Sequence, residues 1–232
     1  MRTKSWLIPT IVLLSVGALS VLAFIGAPNG KPVTTPTSSG GATAPSSESQ
    51  LNLARREAGD PLAIGNVNAP VVLVEYAEFQ CPFCGMFVRD TQPTLINKYV
   101  SNGTLRIEWR DFPYLGPEST TAALASRAAA EQGKFWQFHD TLFAHQFPPN
   151  SGHLTESYLT GVAKSLGLKI EKFRIDMHSA VTRAAVEKDF TEGQRIGVTG
   201  TPSFRVNSTT IVGAQPLQVF EQAIEQAASQ SK

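Results

Sequence analysis

A junction restricts this chain more than any other feature. The run Val71-Val-Leu-Val74 is continuous, apolar and mostly β-branched, which suits a strand buried on both faces. It leads directly into Glu78-Phe-Gln-Cys-Pro-Phe-Cys84, which holds the only two cysteines of the 232 residues. Beyond Pro82, apolar residues at Phe87, Val88, Leu95, Ile96 and Tyr99 form a loose helical pattern, interrupted at Pro93. Leu105, Ile107 and Trp109 then alternate with Arg106, Glu108 and Arg110, which predicts a second strand with one face buried. The order so far is β-α-β, with both thiols at the first strand-to-helix turn.

A helical block follows. Residues 122–132 are alanine-rich, and Phe135, Phe138 and Leu142 recur at helical spacing. Thr155 is placed to cap a helix stapled by Leu154 and Leu159 that stops at Gly167. Residues from about 179 to 195 are helical by propensity. Strand character returns at 202–206 and 210–212 around a turn at Asn207-Ser208, and a last helix follows Pro216. The predicted fold class is α/β: β-α-β, a helical insertion at about 115–196, then β-β-α.

The amino-terminal end bears on where such a domain works. Arg2 and Lys4 precede an uncharged run at 6–25, long enough to cross a bilayer as a helix. Under the positive-inside tendency, residues 1–5 stay in the cytoplasm, 6–25 form a single transmembrane anchor, and the rest lies outside. A cleaved signal peptide is the alternative, but Ile25-Gly-Ala27 lacks the small-x-small cleavage pattern. Residues 26–58, rich in Pro, Ser, Thr and Gly, are expected to be a flexible tether. Residues 59–232 then form the folded domain. Net charge is +1 with no basic block after the tether, which argues against nucleic acid as a partner.

Two thiols three positions apart admit three readings: half a metal site, a structural staple or a redox couple. A structural zinc needs four ligands, and His139, His145, His153 and His178 are not spaced to complete a set, so no metal is assigned. A disulfide closing so short a loop adds little as a staple. In an exported domain the pair is better explained as a working dithiol. At a helix start, unpaired N–H groups and the helix dipole favour the Cys81 thiolate, and Pro82 suits the first turn. Cys84, one turn further in, should be more buried. Cys81 is then the attacking and leaving sulfur, and Cys84 resolves the mixed disulfide.

The stretch Val74-Glu-Tyr-Ala-Glu-Phe-Gln-Cys-Pro-Phe-Cys84, with Gly197-Val-Thr-Gly-Thr-Pro-Ser-Phe204, resembles the thioredoxin superfamily. The helical insertion narrows the likeness to DsbA-like thiol-disulfide oxidoreductases. The resemblance implies a thioredoxin-like fold, a cis proline at Pro202, and a Thr201 backbone that meets an extended substrate peptide. It also implies that Glu75 is a buried acid shuttling a proton to and from Cys84. Glu78 is expected to be exposed. Phe83 stands where the strongly oxidising members have histidine, which predicts a milder oxidant. The expected activity is the introduction of disulfides into exported proteins with free cysteines. No cofactor is expected, and reoxidation is assigned to a quinone-linked membrane partner, DsbB-like or vitamin K epoxide reductase-like. A reductase or isomerase, or a non-catalytic peptide-binding chaperone module, stays open as the alternative.

Overall fold

The structure is a computed structural model and describes residues 53–231. The expected anchor at 6–25 and most of the expected tether lie outside the described residues. Among the described residues no helix is long and apolar enough to cross a membrane.

Strand β1 (Ala63–Ile64) is only two residues long and is held by antiparallel pairing. The apolar run opens β2 (Val71–Ala77), in which every residue is buried. Strand β3 (Leu105–Asp111) runs parallel to β2, with Glu75 opposite Trp109. Strands β4 (Ser203–Val206) and β5 (Thr209–Val212) form the hairpin around Asn207, whose φ is +49°. Antiparallel pairing sets Glu75 opposite Phe204, and the sheet order is β1-β3-β2-β4-β5.

Between β2 and β3 the chain is helical, but not uniformly. Helices α1 (Pro82–Met86) and α2 (Gln92–Leu95) alternate with the π-helical stretches Phe87–Thr91 and Ile96–Val100. The Gln92 N–H bonds the Phe87 carbonyl rather than that of Val88. A wide turn of this kind carries the helix past Pro93, which has no N–H to give. The pattern break at Pro93 is thus a change of helix type instead of an end.

The insertion between β3 and β4 is wholly helical: α3 (Pro117–Ala130), α4 (Phe135–Ala144), α5 (Glu156–Ser165), α6 (Ile170–His178) and α7 (Ala180–Arg195). Thr155 caps α5 by accepting the Tyr158 N–H at 3.2 Å, and Gly167 at φ +75° follows its end. Helix α6 was not legible in the sequence. Helix α8 (Leu217–Gln230) packs Phe220 against Phe87 and Phe204, with ring centroids 5.1 and 4.9 Å apart.

Strand β3 departs from its expectation. Its charged face is also buried, because residues 53–57 and α7 cover it. Glu108 accepts the backbone N–H groups of Arg55 at 3.0 Å and Arg56 at 2.9 Å, and it pairs with the guanidinium groups of Arg106 and Arg110. Burial alone would raise the Glu108 pKa, but these hydrogen bonds hold it down at about 2. Residues that the sequence places at the end of the tether therefore lie against the sheet.

Candidate active site

Strand β2 delivers the chain to the site through a turn, Glu78-Phe79-Gln80, in which the Cys81 N–H bonds the Glu78 carbonyl at 3.4 Å. Cys81 is the N-cap of α1 and Pro82 occupies its first turn, so a donor that would go unpaired is removed. Both thiols are free and buried; Cys81 keeps 2% of its exposure and Cys84 none. Phe83 between them is 58% exposed. From across the sheet edge, the cis Thr201-Pro202 peptide brings the Thr201 carbonyl to 3.2 Å from the Cys81 sulfur, which donates to it when protonated.

The two sulfurs differ in proton affinity. The Cys84 thiol, hydrogen-bonding to the Cys81 sulfur, brings the Cys81 pKa down to about 6; burial opposes this, while the Thr201 side chain and the N–H groups of Cys84 and Phe83 support it. Burial pushes Cys84 well up, and its hydrogen bond to Cys81 and the Cys81 charge push it further. One proton shared unevenly between the pair gives a thiolate at Cys81 and a thiol at Cys84 near neutral pH.

Two carboxyls sit in the same surroundings. Glu75 is fully buried and neither of its carboxyl oxygens has a hydrogen-bond partner. Burial, then the Cys81 charge, raises its pKa to about 8, so it holds a proton at neutral pH. Glu78 overturns its expectation of exposure: it is 2% exposed. Ser119 of α3 donates a short hydrogen bond to Glu78 Oε2, and the Gln80 N–H donates to the same oxygen at 3.1 Å. Sequence alone gave no sign of this, because the covering helix lies far along the chain.

Gln146, in the loop after α4, was also missed. Its side-chain NH2 donates to the Phe79 carbonyl at 3.0 Å and the Cys81 carbonyl at 2.8 Å, fixing the turn that presents the dithiol. Gly85 leaves room for it; a Cβ there would run into Gln146 and Arg89. Among the described residues no three His, Cys, Asp or Glu side chains are arranged to hold a metal ion.

A dithiol at the start of a helix, beside a cis proline on a mixed five-stranded sheet, defines a thioredoxin-fold thiol protein. A thioredoxin family model matches residues 57–226. The chain is 32% identical over 149 residues to the probable disulfide bond formation protein D of Bacillus cereus, covering 62% of this chain and 69% of that one. It superposes on the crystal structure of oxidised BdbD from Bacillus subtilis with a TM-score of 0.68 at 28% identity, over 74% of this chain and 94% of that one. A Na(+)/H(+) antiporter, NhaA 1 of Salinispora arenicola, is 35% identical over 167 residues, or 70% of this chain. The chain spans only 24% of that antiporter's length. The chain belongs to the thioredoxin family and is similar to the disulfide bond formation proteins D within it.

Proposed function

We propose that this chain is an extracytoplasmic protein disulfide oxidoreductase that passes a Cys81–Cys84 disulfide to exported proteins. A substrate thiolate attacks the Cys81 sulfur, and Cys84 leaves as a thiolate that takes a proton, with buried Glu75 as the donor. The second substrate thiolate attacks the substrate sulfur of the mixed disulfide and releases Cys81 as a thiolate. The substrate gains a disulfide and the enzyme keeps two electrons, which a quinone-linked membrane partner would remove. Phe83, 58% exposed, and Met86, 43% exposed, present an apolar rim to an extended peptide, whose main chain would meet Thr201.

The single observation that supports the oxidising direction is the depressed Cys81 pKa of about 6. A stabilised thiolate favours the dithiol form, and a favoured dithiol makes the disulfide an oxidant. Phe83 supplies no positive charge, so the oxidant is milder than those with histidine there. The membrane location rests on the uncharged run at 6–25. Rapid thiol trapping in growing cells tests both points. Cys81 and Cys84 should be recovered mostly as the disulfide, in the membrane fraction. A mostly reduced pair would make the protein a reductase or isomerase, and recovery in the soluble fraction would remove the anchor.

A further inference from the structure

Glu78 is a buried acid that the exchange chemistry above does not use. Its position ties two parts of the molecule together. Its main chain touches the dithiol: its carbonyl accepts the Cys81 N–H at 3.4 Å, and its own N–H favours the Cys84 thiolate. Its side chain reaches the insertion, where Ser119 donates to Oε2 and also accepts from Gln80 Nε2 at 2.7 Å. Gln80 Oε1 in turn accepts the Asn150 N–H at 2.7 Å. Glu78 Oε1 is buried with no hydrogen-bond partner. An unpartnered carboxylate oxygen penalises the anion, and two donors on its neighbour favour it. The carboxyl is poised between these opposed effects.

Among the described residues no cation pairs with the Glu78 carboxyl. The groups acting on the Glu78 carboxyl are Ser119, Gln80 and Cys81, and burial with the Cys81 charge brings its pKa to about 7. The other ionisable groups on the elements packed around it are Cys84 on α1, Glu75 and Tyr76 on β2, Glu118 and Arg127 on α3, and His145 and His153 in the loop beyond α4. Arg127 is engaged by Asp111 and Asp189, and Tyr76 donates to Glu192 at 2.8 Å. Glu118 is turned away, accepting the N–H groups of Gly152 and Leu154 at 2.9 Å each. His153 is stacked on Phe147, with centroids 4.4 Å apart.

We propose that Glu78, braced by Ser119 and Gln80, is a second proton-holding residue of the dithiol, taking up a proton as the disulfide is reduced and releasing it on reoxidation. The inference rests on the redox reading of Cys81–Cys84. Reduction adds two electrons, places a proton on Cys84 and leaves a negative charge on Cys81. That charge raises the proton affinity of Glu78, so the reduced form binds a further fraction of a proton. Glu78 is a positioning residue here, acting through Cys81 and not on the substrate.

The test is equilibration with glutathione redox buffers across pH, following the reduced fraction of wild type, Glu78→Gln and Ser119→Ala. Glutathione behaves alike with all three proteins, so the ratio of variant to wild type isolates Glu78. For Glu78→Gln the ratio should be near one at about pH 5.5 and favour the reduced variant by about threefold at about pH 8, the equivalent of half a pKa unit. Ser119→Ala removes a donor to the carboxylate and should move the pH dependence of wild type to higher pH. A Glu78→Gln ratio that stays flat with pH, or a Ser119→Ala profile that superposes on wild type, overturns the inference. If wild type itself does not exchange with glutathione, the redox reading fails first, and this one with it.

Discussion

Glu75 carries a carboxyl into the apolar face of the sheet, between Trp109 on one neighbouring strand and Phe204 on the other. Its folded pKa of about 8 lies above the ordinary 4.5, so folding disfavours its charged form. The unfolded chain releases this proton from about pH 4.5 while the folded chain keeps it to about pH 8, so stability falls across that window. Glu75→Gln should therefore stabilise the protein, by on the order of 2–4 kcal/mol more at pH 8 than at pH 4. Urea unfolding at the two pH values measures this, and an equal change at both would show that the carboxyl is not held neutral. If Glu75 is the proton donor proposed for Cys84, the same variant should also slow disulfide exchange. Glu75 was legible because a carboxylate inside a β-branched run has no surface to reach. Glu78 was not, because it lies past the strand end, where alternation no longer applies, and its cover comes from Ser119 of a distant helix.

Among the elements, α1 is too short to hold its geometry alone. Five residues make barely one turn, and Gln146 supplies the brace from outside the helix. Replacing Gln146 with alanine leaves the Phe79 carbonyl without that donor, while the Cys81 carbonyl still accepts the Gly85 N–H at 3.2 Å. The loss should cost about 1–2 kcal/mol of stability. It should also raise the Cys81 pKa, because the N–H groups of Phe83 and Cys84 lose their aim at the sulfur. Thermal unfolding and thiolate absorbance against pH would report the two effects, and an unchanged Cys81 titration would limit Gln146 to stability. Local pattern revealed β2, β3, the hairpin and α8, because each has its own apolar periodicity. It did not reveal α6, whose Phe173 and Met177 are buried within an otherwise charged segment. Nor did it reveal β1, whose two residues are extended only because β3 pairs with them.

At the scale of the whole molecule, the sheet separates two kinds of interior. One face holds the large apolar core together with Cys81, Cys84 and Glu75, where burial raises the proton affinities of Glu75 and Cys84. The other face pairs its charges: Arg55 and Arg127 both reach Asp189, and Arg110 bridges Glu108 and Glu192. Sequence alternation in β3 indicated that its two faces differ, but not that residues 53–57 and α7 bury the charged one. The central claim concerns the first face, where one sulfur exchanges with substrate while the other is withheld from it. It is tested most directly by expressing Cys84→Ser and Cys81→Ser separately and separating trapped proteins on non-reducing gels. The account predicts that Cys84→Ser accumulates mixed disulfides with exported proteins through Cys81, and that Cys81→Ser accumulates almost none; equal trapping by both, or trapping by Cys81→Ser alone, would contradict it.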